Sequence, residues 1–181
     1  RRGKGRWLAD SGAKFDLRSN ALRPAGWTSA DAAGLPIYPG LAKAGEASNS
    51  RINHALRVTV EESQRGYVDP ARHFASSSND RSLPPMGLRL RLKAGYGLSG
   101  FSGQALAIMK AMKKYGLIVA DNGSDWFISG TPDRRWDDDD LDQLKRRQIL
   151  QGCEIVYLTH AHCSCIVLPW LALLSFLLVR V

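Results

Sequence analysis

The sequence predicts an α+β fold: a mostly antiparallel β sheet or sandwich packed by one main helix, about 102–115, with a short acidic-start helix at about 137–146. Three observations carry this. Residues 52–60 and 88–93 alternate apolar and polar side chains with the period of two that a half-buried strand requires. Residues 102–115 place their apolar side chains at helical spacing instead. Asn122-Gly123, a preferred two-residue hairpin dipeptide, sits between two short apolar runs, so the strands on either side of it are expected to pair antiparallel.

Residues 1–50 are rich in turn formers. Phe15-Asp16-Leu17 reads as a short strand, and Pro24 biases Arg23 away from helix. Thr28 and Asp31 have capping-box spacing ahead of Ala32 and Ala33, enough for one helical turn before Pro36 and Pro39-Gly40 end it. In the strand 52–60, Ile52, His54, Leu56, Val58 and Val60 share one face, and Asn53, Ala55, Arg57 and Thr59 the other. Tyr67-Val68 is extended up to Asp69-Pro70, and residues 76–85 form a polar loop. In 88–93 the leucines face a core, while Arg89, Arg91 and Lys93 face water or a polar groove.

The main helix carries an apolar stripe of Ala105, Leu106, Ile108, Met109, Met112 and Tyr115. Ser102 is its expected N-cap and Gly116 its left-handed C-terminal residue. Strands at 117–120 and 126–129 follow. Asp137 to Asp140 open the second helix, and Lys145, Arg146 and Arg147 close it, an order matched to the helix dipole. Residues 154–158 read as a last strand.

Residues 1–150 read as a single α+β domain, and the chain, which opens on Arg rather than Met, as a fragment or processed product. Residues 151–181 read as a divergent hydrophobic tail. The uncharged, leucine-rich run 163–179 has 17 residues, at the short edge of the ~20 that a membrane helix needs, and Pro169 interrupts it. It is read as a foreign end, a membrane anchor or a core element.

The net charge of +8 favours acidic or hydroxyl-rich partners, but four of the basic residues crowd into the first six, and no nucleic-acid motif accompanies them. Specific nucleic-acid binding is therefore not expected, and membrane association is expected only if the tail 163–179 is a real anchor.

Gly95, Gly97 and Gly100 spell the dinucleotide fingerprint between a strand and a helix. The preceding strand bears three cations, whereas the first strand of a nucleotide-binding unit is apolar on both faces. The glycines therefore read as a joint, and no cofactor is assigned. Residues 160–165 hold two histidines and two cysteines, but alternate spacing splits them between faces, and the acidic run 137–140 lacks the EF-hand pattern, so no metal is assigned either. His73, beside a loop, and Asp31 are the candidate general acid–base residues, with His54 third and Asp69 and Asp121 as further carboxylates. Arg57, Arg72, Arg89, Arg91 and Trp27 are the candidate ligand-binding residues.

The run 19–36, from Ser19-Asn20-Ala21-Leu22-Arg23-Pro24 to Gly34-Leu35-Pro36, resembles a family of secreted bacterial and eukaryotic proteins, mostly without assigned activity. So do Asn53-His54-Ala55-Leu56-Arg57, Ala71-Arg72-His73-Phe74-Ala75-Ser76, Pro84-Pro85-Met86-Gly87-Leu88-Arg89 and the run 114–124. The likeness covers roughly residues 7–147. It implies secretion and a larger N-terminal portion than this chain carries, while the chain after about Arg147 departs from the pattern. The resulting expectation is an extracellular carbohydrate-directed protein, glycan-active or glycan-binding. A non-catalytic structural or interaction protein is the alternative, and weak nucleic-acid or nucleotide binding through charge the third reading.

Overall fold

A computed structural model describes residues 12–145 and 148–156, together with the backbone of Arg2–Gly3, Arg6–Trp7 and Leu178–Arg180. Arg2–Gly3 (β1) and Arg6–Trp7 (β2) pair antiparallel by themselves. The main sheet is built from β3 (Leu56–Val60), β4 (Arg89–Leu92), β5 (Leu117–Asn122), β6 (Phe127–Ser129) and β7 (Cys153–Ile155). Its order is β7-β4-β5-β3-β6, and the backbone of Leu178–Arg180 (β8) lies parallel to β6 beyond it. The helices are α1 (Ile37–Gly40), α2 (Ala44–Ser48), α3 (Gly103–Lys114), α4 (Asp138–Leu141) and α5 (Gln148–Gln151), with a 3₁₀ turn at Asp142–Lys145.

The α+β class therefore stands. The sheet is a single mixed one rather than a sandwich: β3 and β5 run parallel at its centre, β4 and β7 are antiparallel to their neighbours, and β6 is antiparallel to β3. A parallel pair needs a long crossover, and the chain from β3 to β5 supplies one that contains β4 and α3.

One face of the sheet makes the core. Leu56, Val58, Val60, Leu90, Leu92, Leu117, Val119 and Ile128 are buried together with Ala105, Ile108, Met109 and Met112 of α3. Each large side chain so buried contributes roughly 1.5–3 kcal/mol. The apolar stripe of α3 is wider than predicted, since Ala107 and Ala111 are also buried while Leu106 is half-buried. Gly116 takes the left-handed conformation at φ 85°, and a Cβ there would stand 2.4 Å from the Leu90 carbonyl oxygen.

Four local expectations are corrected. The strand predicted at 52–60 begins only at Leu56, because the His54 ring is tied to Ala55 and Glu46 just before it. Ser102 precedes α3 but makes no side-chain cap; Asp140 caps the helix instead. No strand forms at Phe15-Asp16-Leu17. Asn122-Gly123 does not join two paired strands, because β5 has β4 on one edge and β3 on the other, leaving no edge for β6. The turn instead passes over the end of β3. Gly123 N–H donates to Val60 O at 2.9 Å, Trp126 N–H to Thr59 O at 2.9 Å, and β6 pairs with the far edge of β3.

Cys153 is buried in β7, so the sheet extends past residue 150. The predicted histidine–cysteine cluster at 160–165 lies outside the described residues, as does most of the run 163–179. Among the described residues, no helix is long and apolar enough to cross a membrane.

Candidate functional site

The second face of the sheet is polar where it meets residues 28–35. The alternation that buries Val58 turns Arg57 to this side. Asp121 reaches the same side through a β-bulge: Val58 pairs with Val119 but Thr59 pairs with Asp121, leaving Ala120 as the extra residue. Strict alternation from Val119 would have put Asp121 on the core face; one inserted residue re-aims it.

Residues 29–35 close on themselves. The Ser29 hydroxyl donates to Leu35 O at 2.7 Å and accepts from Asp31 N–H at 3.2 Å, while Asp31 Oδ1 accepts from Leu35 N–H at 2.9 Å. The closed loop then docks on the bulge. Ala33 N–H donates to Ala120 O at 3.0 Å and Ala32 N–H to Asp121 Oδ1 at 3.3 Å.

Arg57 lies beneath the loop. Its Nη1 donates to Ser129 Oγ at 2.8 Å and its Nη2 to Asp121 Oδ2 at 3.3 Å, and Nη2 stands 3.9 Å from Asp31 Oδ2. The side chain of Asp31 is 1% exposed, that of Arg57 11% and that of Asp121 33%. Asp31 Oδ2 and Arg57 Nε are buried without hydrogen-bond partners. Burial drives the Asp31 pKa above the usual aspartate range; the Leu35 amide and Arg57 pull it down, and Asp121 adds to the rise. Two carboxylates with different environments, one raised, form the pattern of acid–base chemistry. Here the raised one is sealed inside, so its contacts hold the loop.

His73 joins the loop from the other side. Its Nδ1 lies 3.0 Å from Ala32 O. A carbonyl only accepts, so Nδ1 is the donor of this bond. The ring stacks on Phe74 with centroids 5.9 Å apart. Arg72 clamps the preceding turn: its Nε donates to Arg23 O at 2.8 Å, its N–H to Ala33 O at 2.8 Å, and its carbonyl accepts from Gly26 N–H at 2.6 Å. Gly34 is where these pieces meet. It takes φ 72°, and a Cβ there would lie 2.6 Å from Trp27 O, 3.5 Å from His73 Cβ and 3.6 Å from Arg72 Cβ.

The fold thus brings together five of the predicted residues: Asp31 and Arg57 beneath the loop, His73, Arg72 and Trp27 around it. The other three are engaged elsewhere. His54 uses both ring nitrogens, toward Ala55 O at 2.9 Å and Glu46 Oε2 at 3.0 Å. Arg89 donates from Nε to Tyr115 O at 2.8 Å, satisfying a carbonyl at the end of α3. Arg91 pairs with Glu154 across β4 and β7 at 2.8 Å, on the surface.

The glycine joint leads to a helix N-terminus that is already filled. Asp140 accepts from the N–H groups of Gln104 and Ala105, and Gln143 Oε1 accepts from Ser102 N–H at 3.0 Å. A carboxylate stands where a phosphate would bind, so a nucleotide would have to displace Asp140. Among the described residues, no group of three or more His, Cys, Asp or Glu side chains is arranged to hold a metal ion.

Sequence reasoning missed Ser129, Ser29 and Arg23. Ser129 and Ser29 carry no local signal, since their partners depend on the strand order and the loop closure. Arg23 reads as an ordinary loop cation, yet its guanidinium lies 5.2 Å from the Phe15 ring centroid and 5.5 Å from that of Trp27. No family model, no curated protein and no solved structure matches the chain.

Proposed function

We propose that this is an extracellular carbohydrate-directed protein that works by binding, with Trp27 as the stacking surface and Arg23, Arg72 and His73 beside it. The observation that supports it is the state of Trp27. The residue is 57% exposed, yet its backbone N–H donates to Pro24 O at 3.2 Å, its carbonyl packs on Gly34, and the Arg23 guanidinium lies 5.5 Å from its ring centroid. A rigid exposed aromatic offers contact area at little cost in conformational entropy, which suits a sugar face. The extracellular placement rests on the resemblance to secreted proteins.

A glycan-active enzyme is the second reading, favoured by the raised carboxyl of Asp31 beside Asp121. The depth of Asp31 favours the binding reading over it. A glycan array combined with a reducing-end release assay separates them. Binding that falls roughly tenfold or more in Trp27→Ala and releases no sugar is the expected result. Release of sugar that Asp31→Asn abolishes would favour the enzyme. Absence of any glycan binding would favour the interaction-protein reading, and DNA binding lost steeply with salt the charge reading.

A further inference from the structure

We propose that the Trp27 surface selects acidic glycans, with Arg23 as the residue that reads the sugar carboxylate; this rests on the binding function proposed above. Arg23 is held in an unusual way. Its Nη1 donates to Thr28 O at 2.6 Å, and the guanidinium lies 5.2 Å from the Phe15 ring centroid and 5.5 Å from that of Trp27. Most of the nearby basic residues have an acid of their own: Arg18 pairs with Asp16, Arg72 with Asp69, and Arg57 with Asp121. Among the described residues, no carboxylate pairs with Arg23.

A guanidinium without a carboxylate partner, held by a carbonyl and two rings, has part of its ordering cost met before any ligand arrives. With Nη1 occupied, the remaining edge carries Nε and Nη2, two parallel donors spaced for the two oxygens of a carboxylate. Arg23 lies over the Trp27 ring. A sugar stacked on the uncovered part of that aromatic, which is 57% exposed, brings a ring carboxylate beside the guanidinium. Uronic-acid residues meet both conditions, with an apolar sugar face for the indole and a planar carboxylate for the fork. Ammonium groups would not reproduce the second contact, because lysine offers a point charge.

Isothermal titration of the full chain with three polymers tests this: polygalacturonate, the same chain fully methyl-esterified, and dextran sulfate. Wild type is expected to bind polygalacturonate roughly tenfold or more tighter than the ester, the scale of one charge-assisted bidentate contact. Arg23→Gln should remove that preference, so that acid and ester bind alike. Arg23→Lys keeps the charge over the rings and should recover little of the preference, and thermal melts confirm that both variants fold. Equal binding of acid and ester by wild type overturns the carboxylate assignment and leaves the stacking surface standing. Full preference in Arg23→Lys, or dextran sulfate bound as tightly and unaffected by Arg23→Gln, overturns it in favour of diffuse charge. Binding of none of the three overturns it together with the proposed function.

Discussion

The two faces of the sheet are stabilised by different physics. The face under α3 is apolar and non-directional: Leu56, Val58, Leu117 and Ile128 exclude water against Ile108, Met109 and Met112, and their contribution scales with area. The opposite face, under residues 28–35, is directional. Arg57, Asp121, Ser129 and Asp31 hold a loop through hydrogen bonds and ion pairs, two of whose polar atoms have no hydrogen-bond partner. The first face tolerates apolar side chains of similar volume. The second depends on particular partners, since deleting Arg57 leaves the buried Asp31 carboxyl without its counter-charge.

The sharpest test sets one face against the other. Arg57→Ala leaves Asp31 buried beside Asp121 without its counter-charge and is expected to cost about 3–5 kcal/mol in urea unfolding. Met112→Ala opens a cavity in the α3 face and is expected to cost about 2–4 kcal/mol, with Met112→Leu recovering most of it. An Arg57→Ala cost below about 1 kcal/mol would mean that the loop needs no charge network. Asp140→Ala comes next. It removes the acceptor for two amides at the start of α3 and is expected to cost about 1–2 kcal/mol by the same measurement.

Asp31→Asn gives the smallest effect and the most specific one. The folded pKa of Asp31 is raised above its ordinary 3.8, chiefly by burial. The folded state therefore binds this proton more readily than the unfolded state. The associated stability is fully present below the ordinary value and is lost as pH rises through the raised one. Asn removes the titration and keeps an acceptor for Leu35. The wild type is expected to be at its best relative to Asp31→Asn below the ordinary value of 3.8 and to lose that standing as pH rises toward neutral. Urea melts at the two ends of that range measure it, and a difference that rises with pH would show that Arg57, not burial, governs this carboxyl.

The same contrast explains what the sequence could reveal. The α3 face was legible because it is built from local periodicities. The alternating leucines of 88–93, the stripe from Ala105 to Met112, and Gly116 at the helix end each announce their place. Asp137 announces its own as well, accepting from Asp140 N–H at 3.1 Å as a helix N-cap. The polar face was only partly legible. Asp31, Arg57, Arg72, His73 and Trp27 could be singled out as chemistry-bearing residues near loops, but their meeting depends on contacts between distant parts of the chain, such as Ala32 with Asp121 and Arg57 with Ser129. No periodicity marks the bulge at Ala120 that turns Asp121 toward Arg57. Arg89 and Arg91 look like their neighbours on paper; a nearby helix end and a nearby glutamate absorb them. Asn122-Gly123 failed for a related reason: a turn propensity describes two residues, whereas pairing requires a free edge.

That turn also has a consequence for the order of assembly. β4, α3 and β5 are consecutive and can close on each other with short loops, while β3 must arrive from about sixty residues upstream, a slower search. β6 has no place beside β5, so it joins this part of the sheet only through β3. Ser129, and with it one anchor of Arg57, comes from β6, which also carries the core residue Ile128. A chain without β6 docked would lose an edge of its hydrophobic core together with an anchor of its site.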